Sequence, residues 1–430
     1  MGIERAVLRQ DRRGPSVGVD MLRFPGAGAF RGLPSAFWRL WVACLINRLG
    51  TFVVPFLALF LGSERGLEPA AVGLVVGAFG AGAMGAGPAG GALADRLGRR
   101  RTIALGMVLC AAALGALLSA EGAAELAACT FLLGLAHELP RPAQSAMVAD
   151  LVPEADRARA YGALYWAANL GFALASLLAG LASLVSFTLL FVLDGLTSLL
   201  CGLVVLLTLP ESAPARGDRP RSLLGDVVTP FRDRAFLRFF ALSVLVALVF
   251  FQFSVTMPLD LRARGVGTGT YGVLVAINGF LIVLVQPFAG PRLARLPRAR
   301  ALALGAALNG AGFGLFGVGN SVPAFAAAIV VLTLGEIVMA PINPSVVAGL
   351  APAHLRGAYQ GAFGLAISLA ACLAPILGST VLEHLGSRTL WLGCFLLGLV
   401  AAAGHLAGGP RRERSLALRD AAPAVAQSSA

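Results

Sequence analysis

Long runs of apolar residues, separated by short polar segments, dominate the 430-residue chain. A helix that crosses a membrane needs about 20 mostly apolar residues, and twelve runs reach roughly that length. Barrel strands are about ten residues long and alternate in polarity, so the pattern predicts an all-α integral membrane protein with twelve transmembrane helices. In chain order, span 1 to span 12 are 37–62, 70–92, 102–120, 126–149, 161–182, 186–209, 236–259, 270–290, 301–319, 323–348, 358–381 and 389–408.

Composition and charge placement agree with a lipid environment. The chain is 57% hydrophobic and 13% charged, whereas a soluble domain carries about 25% charged residues. All 34 basic residues are arginines, and with the N-terminus assigned to the cytoplasm 28 of them fall on that side and 4 on the other. This asymmetry predicts a multi-pass protein of the cell membrane with both termini cytoplasmic. Arginines facing anionic headgroups also account for the net charge of +12 without nucleic acid.

The two halves of the chain repeat at one offset. The segments ADLVPEADR (149–157) and AGLAPAHLR (348–356) share four positions at a spacing of 199 residues, and Gly73/Gly272 and Pro142/Pro341 match at the same spacing. The sequence therefore predicts two six-helix bundles in parallel orientation. The expected organisation is an N-terminal segment (1–36), a first bundle (37–209), a linker (210–235), a second bundle (236–408) and a cytoplasmic tail (409–430).

Span 2 contains a glycine pattern that invites a nucleotide-binding interpretation. GAGAMG (80–85) fits G-x-G-x-x-G, but a dinucleotide turn needs a preceding strand and a helix that opens on the glycines. Here the pattern lies inside an uninterrupted apolar run. The glycines are therefore expected to form a close helix–helix contact face.

The loop after span 2 carries a dense cluster of charges and glycines. It spells G-x-x-x-D-R-x-G-R-R with Gly91, Asp95, Arg96, Gly98, Arg99 and Arg100. This loop, the twelve spans and the six-plus-six repeat resemble the major facilitator superfamily over residues 37 to 408. We expect Gly91 and Gly98 to permit a tight turn where a Cβ would clash, and Asp95 to face a helix N-terminus.

The resemblance implies what this loop does. It would act as a latch between the two halves beside span 11, and would favour the outward-facing state. The alternative is that its arginines only fix topology. The equivalent second-half loop has Ala294 and Pro297 in place of the acid and the glycine, so the latch is expected to be asymmetric.

Charged and strongly polar groups at membrane depth mark candidate functional positions. They are Asn47 and Arg48 in span 1, Glu138 and Arg141 in span 4, and Glu336 in span 10. Subtracting the repeat offset places Glu336 beside Glu138, and each precedes two prolines. The resemblance implies that spans 1, 4, 7 and 10 line the central cavity, with the two carboxylates facing each other.

Each acid has two interpretations. Desolvation favours a neutral carboxylic acid and a nearby arginine favours the charged form, so such a group can act as a proton switch. Glu138 could equally be a permanent ion-pair partner of Arg48 or Arg141. Asp194 in span 6 is expected to be an interhelical hydrogen-bonding group, and His137 to be a packing or hydrogen-bonding residue.

These features predict a secondary transporter that works by alternating access, rather than an enzyme. We expect proton-coupled efflux of a small amphiphilic molecule; the alternatives are proton-coupled uptake of a small metabolite and a non-transporting membrane sensor or enzyme. The span 5 signature of exporters is incomplete, since Ala175 and Ser176 replace its Gly-Pro pair. The expected partners are a small-molecule substrate, protons and the lipid bilayer, with no nucleic acid, metal or cofactor and with a monomeric chain.

Overall fold

A computed structural model describes residues 32–211, 223–293, 296–352 and 355–428. Most of the predicted N-terminal segment, part of the linker and Ala294 lie outside these ranges. The helices of the first half are Ser35–Leu49 and Val53–Ser63 (span 1), Pro69–Leu97 (span 2), Arg99–Ser119 (span 3), Ala123–Glu138 and Pro140–Leu151 (span 4), the short 3₁₀ helix Glu154–Asp156, Arg157–Ala182 (span 5) and Phe187–Thr208 (span 6).

The second half follows the same plan after a linker helix, Leu223–Arg232. Its elements are Arg234–Phe250, the 3₁₀ helix Phe251–Ser254 and Thr256–Ala263 (span 7), Thr268–Leu293 (span 8), Arg298–Phe316 (span 9), Val322–Leu350 (span 10) and Arg356–Ser428 (spans 11 and 12). Gly386, with φ 81°, interrupts the last segment and separates its two spans. Beyond the predicted end of span 12 at residue 408, the helix continues to Ser428.

The predicted all-α architecture is confirmed. Among the described residues, ten helices are long and apolar enough to cross a membrane, and the 53-residue segment Gly357–Gly409 contains two spans. Span 4 completes the set of twelve. It is divided at Leu139, because Pro140 and Pro142 lack the N–H that would continue the helical hydrogen bonds.

Spans 1 and 7 are interrupted at equivalent depths. The first helix of span 1 ends before Gly50, and the carboxylate of Asp194 accepts hydrogen bonds from the backbone N–H of Phe52 and of Val53, both at 3.1 Å. This side chain satisfies the free donors at the start of the next helix, so its predicted role as an interhelical hydrogen-bonding group is confirmed. The break in span 7 begins at Phe251, 199 residues after Phe52.

The two halves meet along two pairs of spans, 2 with 11 and 5 with 8. The contacts are made by glycines, as predicted for the GAGAMG segment: a Cβ at Gly80 would overlap the backbone of Ala371 and Cys372. A Cβ at Gly272 would lie 2.6 Å from the carbonyl oxygen of Ser176. Small residues let these backbones approach closely.

These contacts are confined to one side of the bundle, which we call the far side because it is opposite the arginine-rich loops. There, the Glu383 carboxylate accepts a 2.7 Å hydrogen bond from the backbone N–H of Ala70, and the Tyr271 hydroxyl donates to the carbonyl of Pro55 at 2.9 Å. On the arginine-rich side, spans 2, 5 and 11 have separated from the opposite half. Glycines there have no atom within 4 Å of an added Cβ, namely Gly87, Gly91, Gly162, Gly357, Gly361 and Gly364. The molecule is therefore closed on the far side and open on the arginine-rich side.

Candidate functional site

The break in span 1 places Asn47 and Arg48 at the C-terminal end of a helix. Arg48 lies in the last turn of Ser35–Leu49, where a cation is favoured by the helix dipole. The backbone carbonyl of Asn47 accepts a hydrogen bond from the Thr51 hydroxyl at 3.0 Å. Span 5 packs closely here, since a Cβ at Gly171 would lie 2.6 Å from the Arg48 Cβ.

Glu138 is the acidic centre of this cluster. Its Oε2 accepts a 2.8 Å hydrogen bond from Arg141, one turn later in span 4, and its Oε1 lies 3.3 Å from His137 Nδ1. Arg48 is close enough to both Glu138 and Arg141 to interact with them electrostatically. The structure thus brings together three of the predicted site residues, with Glu138 in the ion pair that sequence analysis gave as one of its two roles. The prediction that His137 is a hydrogen-bonding residue is also confirmed.

Glu336 has a different environment. Its Oε2 accepts a 3.0 Å hydrogen bond from Asn278 Nδ2 of span 8, and the same amide donates to Thr333 Oγ1 at 2.9 Å. No arginine or histidine within the described part of the chain forms an ion pair with Glu336. The two carboxylates are therefore held in opposite ways, one by a guanidinium and the other by a neutral amide.

A cavity of about 210 Å³ opens beside Glu336. Its wall is mostly apolar and contains the aromatic residues Phe250 and Phe251 of span 7. All of its lining residues belong to spans 7, 9, 10 and 11 of the second half. Besides Glu336, Phe250 and Phe251, they are Ser243, Val246, Ala247, Asn309, Met339, Ala340, Asn343, Phe363 and Ile367. One acidic group among aromatic and aliphatic side chains is typical of a small-molecule pocket.

The first half approaches this acid through span 5. Tyr165 lies beside Asn169 of its own helix and Gln286 of span 8. It is also close enough to Glu336 for the two groups to interact electrostatically. Tyr165 is 42% exposed. It is thus a first-half residue in the electrostatic neighbourhood of the second-half acid.

The charged loop after span 2 forms its contacts within the first half. The Arg99 Nε lies 3.2 Å from an Asp150 carboxylate oxygen, and the backbone N–H of Arg100 donates to Glu211 Oε1 at 3.0 Å. Asp95 and Arg96 are exposed. In this conformation the loop has no described contact with span 11, so its predicted latch role stays a prediction.

The two loop glycines differ. Gly98 has φ 92°, and a Cβ there would overlap the Glu211 carboxylate, so its predicted turn role is confirmed. For Gly91 the same prediction is wrong in this structure. Span 2 extends to Leu97, five residues beyond its predicted end, so Gly91 lies inside the helix with open space around it.

Sequence reasoning missed two partners of the site residues. Glu211 follows the predicted end of span 6 with no motif to distinguish it. Thr333 lies one turn before Glu336, on the same helix face, and that spacing could have indicated it.

The sequence profile described as "Major Facilitator Superfamily" matches residues 40–268 and 261–426. The chain belongs to this superfamily. It is therefore a multi-pass membrane transporter of the secondary type, as its apolar spans and its resemblance led us to expect.

Three relatives align with most of the chain. The MFS-type transporter YttB of Bacillus subtilis (strain 168) is 28% identical, covering 86% of this chain and 94% of the relative. A Na(+), Li(+), K(+)/H(+) antiporter of Planococcus maritimus is 27% identical over 75% of this chain and 84% of its own length. The multidrug resistance protein MdtH of Aeromonas salmonicida (strain A449) is 26% identical over 84% and 92%.

A solved structure supports the fold independently. A mutant of the nucleoside transporter NupG superimposes with a TM-score of 0.78 at 15% sequence identity, covering 87% of this chain and 99% of the other. At this identity the likeness establishes the shared fold alone.

Proposed function

We propose that this transporter exports a small amphiphilic molecule in exchange for protons, with Glu336 as the proton-carrying group. The observation that carries the proposal is the acid at the apolar cavity, bound by Asn278 rather than by a cation. A carboxylate held by a neutral amide loses little electrostatic stabilisation when it is protonated, whereas one held by arginine loses an ion pair. Proton and cargo would compete for the charged form of Glu336.

Glu138 would have a complementary role in the first half. Its carboxylate bonds to Arg141, whose side chain is 73% exposed toward solvent, while Arg48 is held against span 5. If Glu138 were neutralised, two neighbouring guanidinium groups would be left without their shared anion. We therefore assign Asn47, Arg48, Glu138 and Arg141 to the cargo path, with Glu138 keeping the charges of this path balanced.

Orientation and gating follow from the charge asymmetry. With both termini in the cytoplasm, the open side is cytoplasmic and the structure is inward-open. Closing that side would bring the loop of Asp95, Arg96 and Arg100 toward span 11, where Gly357, Gly361 and Gly364 leave space. The two bundles, 37–209 and 236–408, would rock as units about the contacts of spans 2, 5, 8 and 11.

The relatives favour two kinds of cargo. The multidrug resistance relative supports an amphiphilic organic molecule, which the aromatic wall of Phe250, Phe251 and Phe363 would accommodate. The antiporter relative supports a second candidate, exchange of a monovalent cation for protons. An apolar cavity wall offers few oxygen ligands for a hard cation, so the structure favours the first.

Ethidium transport into everted membrane vesicles tests the proposal. Respiration acidifies the vesicle interior, so an exporter that exchanges cargo for protons accumulates ethidium inside. We expect accumulation with the wild-type chain, background accumulation with Glu336→Gln, and wild-type accumulation with Glu64→Gln, a matched change at an exposed far-side position. Full pH-driven accumulation with Glu336→Gln would contradict the role of Glu336. Collapse of the pH gradient by Na⁺ or Li⁺, without ethidium transport, would instead establish cation exchange.

A further inference from the structure

A second, larger cavity lies on the outer surface of the second half, away from the cargo path. It has a volume of about 880 Å³ and is enclosed by the start of span 7 and the end of span 12. Its polar end contains Arg234 and Arg238, and its apolar end contains Phe239, Leu242 and Ala407. Exposed Leu237 and Leu406 flank it, so the groove faces the surrounding lipid.

The charge of the groove is positive. Arg234 and Arg238 are exposed, one helical turn apart, and neither has a hydrogen bond or ion pair with another described side chain. The acid at this end, Asp233, is engaged elsewhere. Its Oδ1 accepts a hydrogen bond from the backbone N–H of Ala235 at 2.9 Å, and its Oδ2 accepts a hydrogen bond from the Tyr359 hydroxyl at 3.1 Å.

The first half differs from the second at the positions equivalent to this groove. At the repeat offset, Gly404 and Gly408 of span 12 correspond to Val205 and Leu209, which are fully buried core residues. Arg238 corresponds to Arg39, but Arg234 corresponds to Ser35. The second half thus has one more arginine, and it has open space at Gly408 where the first half has the buried side chain of Leu209.

We propose that this groove binds one anionic phospholipid, with its phosphate between Arg234 and Arg238 and an acyl chain along Phe239, Leu242 and Ala407. A groove that is basic at headgroup depth and apolar below matches the two ends of such a lipid. Neutral lipids offer no net charge to the arginines, and a free phosphate offers nothing to the apolar end. The site is independent of the transport activity proposed above.

Lipid titration of the purified full-length protein, read by native mass spectrometry, tests the site. Two arginine contacts near a membrane surface correspond to about a 30-fold change in affinity, so Arg234→Gln/Arg238→Gln is expected to bind phosphatidylglycerol about 30-fold more weakly. Gly408→Leu fills the groove without changing its charge, and Gly408 has no neighbouring atom that would clash with a Cβ. We expect it to weaken binding about tenfold or more.

The matched control is Arg39→Gln, which removes the equivalent first-half charge and should leave binding unchanged. Wild-type binding that is equally tight for phosphatidylcholine would overturn the proposal, as would an equal loss with Arg39→Gln. Displacement of phosphatidylglycerol by millimolar inorganic phosphate would also overturn it, because the site would then recognise the phosphate alone.

Discussion

Gly80→Ala is expected to open the far side of the transporter. In the structure a methyl group at this position would overlap backbone atoms of Ala371 and Cys372, which cannot rotate away as a side chain could. Spans 2 and 11 must therefore separate. Overpacking a tight contact costs about 1–3 kcal/mol, and a cost of that size shifts a two-state equilibrium by about 5- to 150-fold. The far-side-closed conformation should lose population by that factor.

The assay is distance measurement between spin labels at Val185→Cys and Val318→Cys, in a chain whose six native cysteines have been replaced. These positions are 79% and 78% exposed in far-side loops of opposite halves. Gly80→Ala should move the distance distribution toward longer values. Gly87→Ala lies on the same helix with no atom within 4 Å, so it should leave the distribution unchanged. Equal distributions for wild type and Gly80→Ala, or an equal shift with Gly87→Ala, would refute the reasoning.

Three further substitutions test other contacts. Asp194→Ala leaves the N–H groups of Phe52 and Val53 without their acceptor and should destabilise the protein by about 2–4 kcal/mol. It should lower the thermal unfolding midpoint in detergent more than Asp194→Asn, which keeps one oxygen. Equal midpoints for the two variants would contradict the capping role. Gly98→Ala meets both a positive φ and the Glu211 carboxylate, so it should reduce ethidium transport, whereas Gly91→Ala should be tolerated because its surroundings are open in this conformation; the reverse order would contradict the assignment. Arg264→Gln removes hydrogen bonds to Gly319 and Ser387 and should lower the unfolding midpoint, while Arg388→Gln, at the same side of the bundle, serves as its control.

The global architecture followed from local sequence signals. Apolar length alone predicts a span, and the repeat offset of 199 predicts the pairing of the halves.

The same offset relates two arginines that depart from the positive-inside distribution, Arg65 and Arg264. Arg65 donates to the carbonyl of Leu118 in the last turn of span 3, and Arg264 donates to that of Gly319, just after span 9, at 2.9 Å. The charge count predicted their side of the membrane but could not explain their presence there.

The details of the site depend on contacts between distant segments. Asp194 lies 142 residues from Phe52 in the sequence. No local pattern near either residue indicates that Asp194 caps the helix that begins after Phe52. The role of Glu211 likewise becomes clear only from its position beside Gly98 and Arg100 in the fold. The sequence could mark Glu138 and Glu336 as unusual because charge is rare at membrane depth, but their different partners, Arg141 and Asn278, required the fold.

The most direct test of the central claim is simultaneous measurement of ethidium and proton movement in proteoliposomes that contain the purified protein and a pH-sensitive dye. The account predicts that wild-type protein moves protons in the opposite direction to ethidium. It predicts that Glu336→Gln moves neither ethidium nor protons above background, because the neutral amide lacks the charged form for which cargo and proton compete. Ethidium transport without proton movement in the wild type, or proton-coupled transport at the wild-type rate in Glu336→Gln, would contradict it.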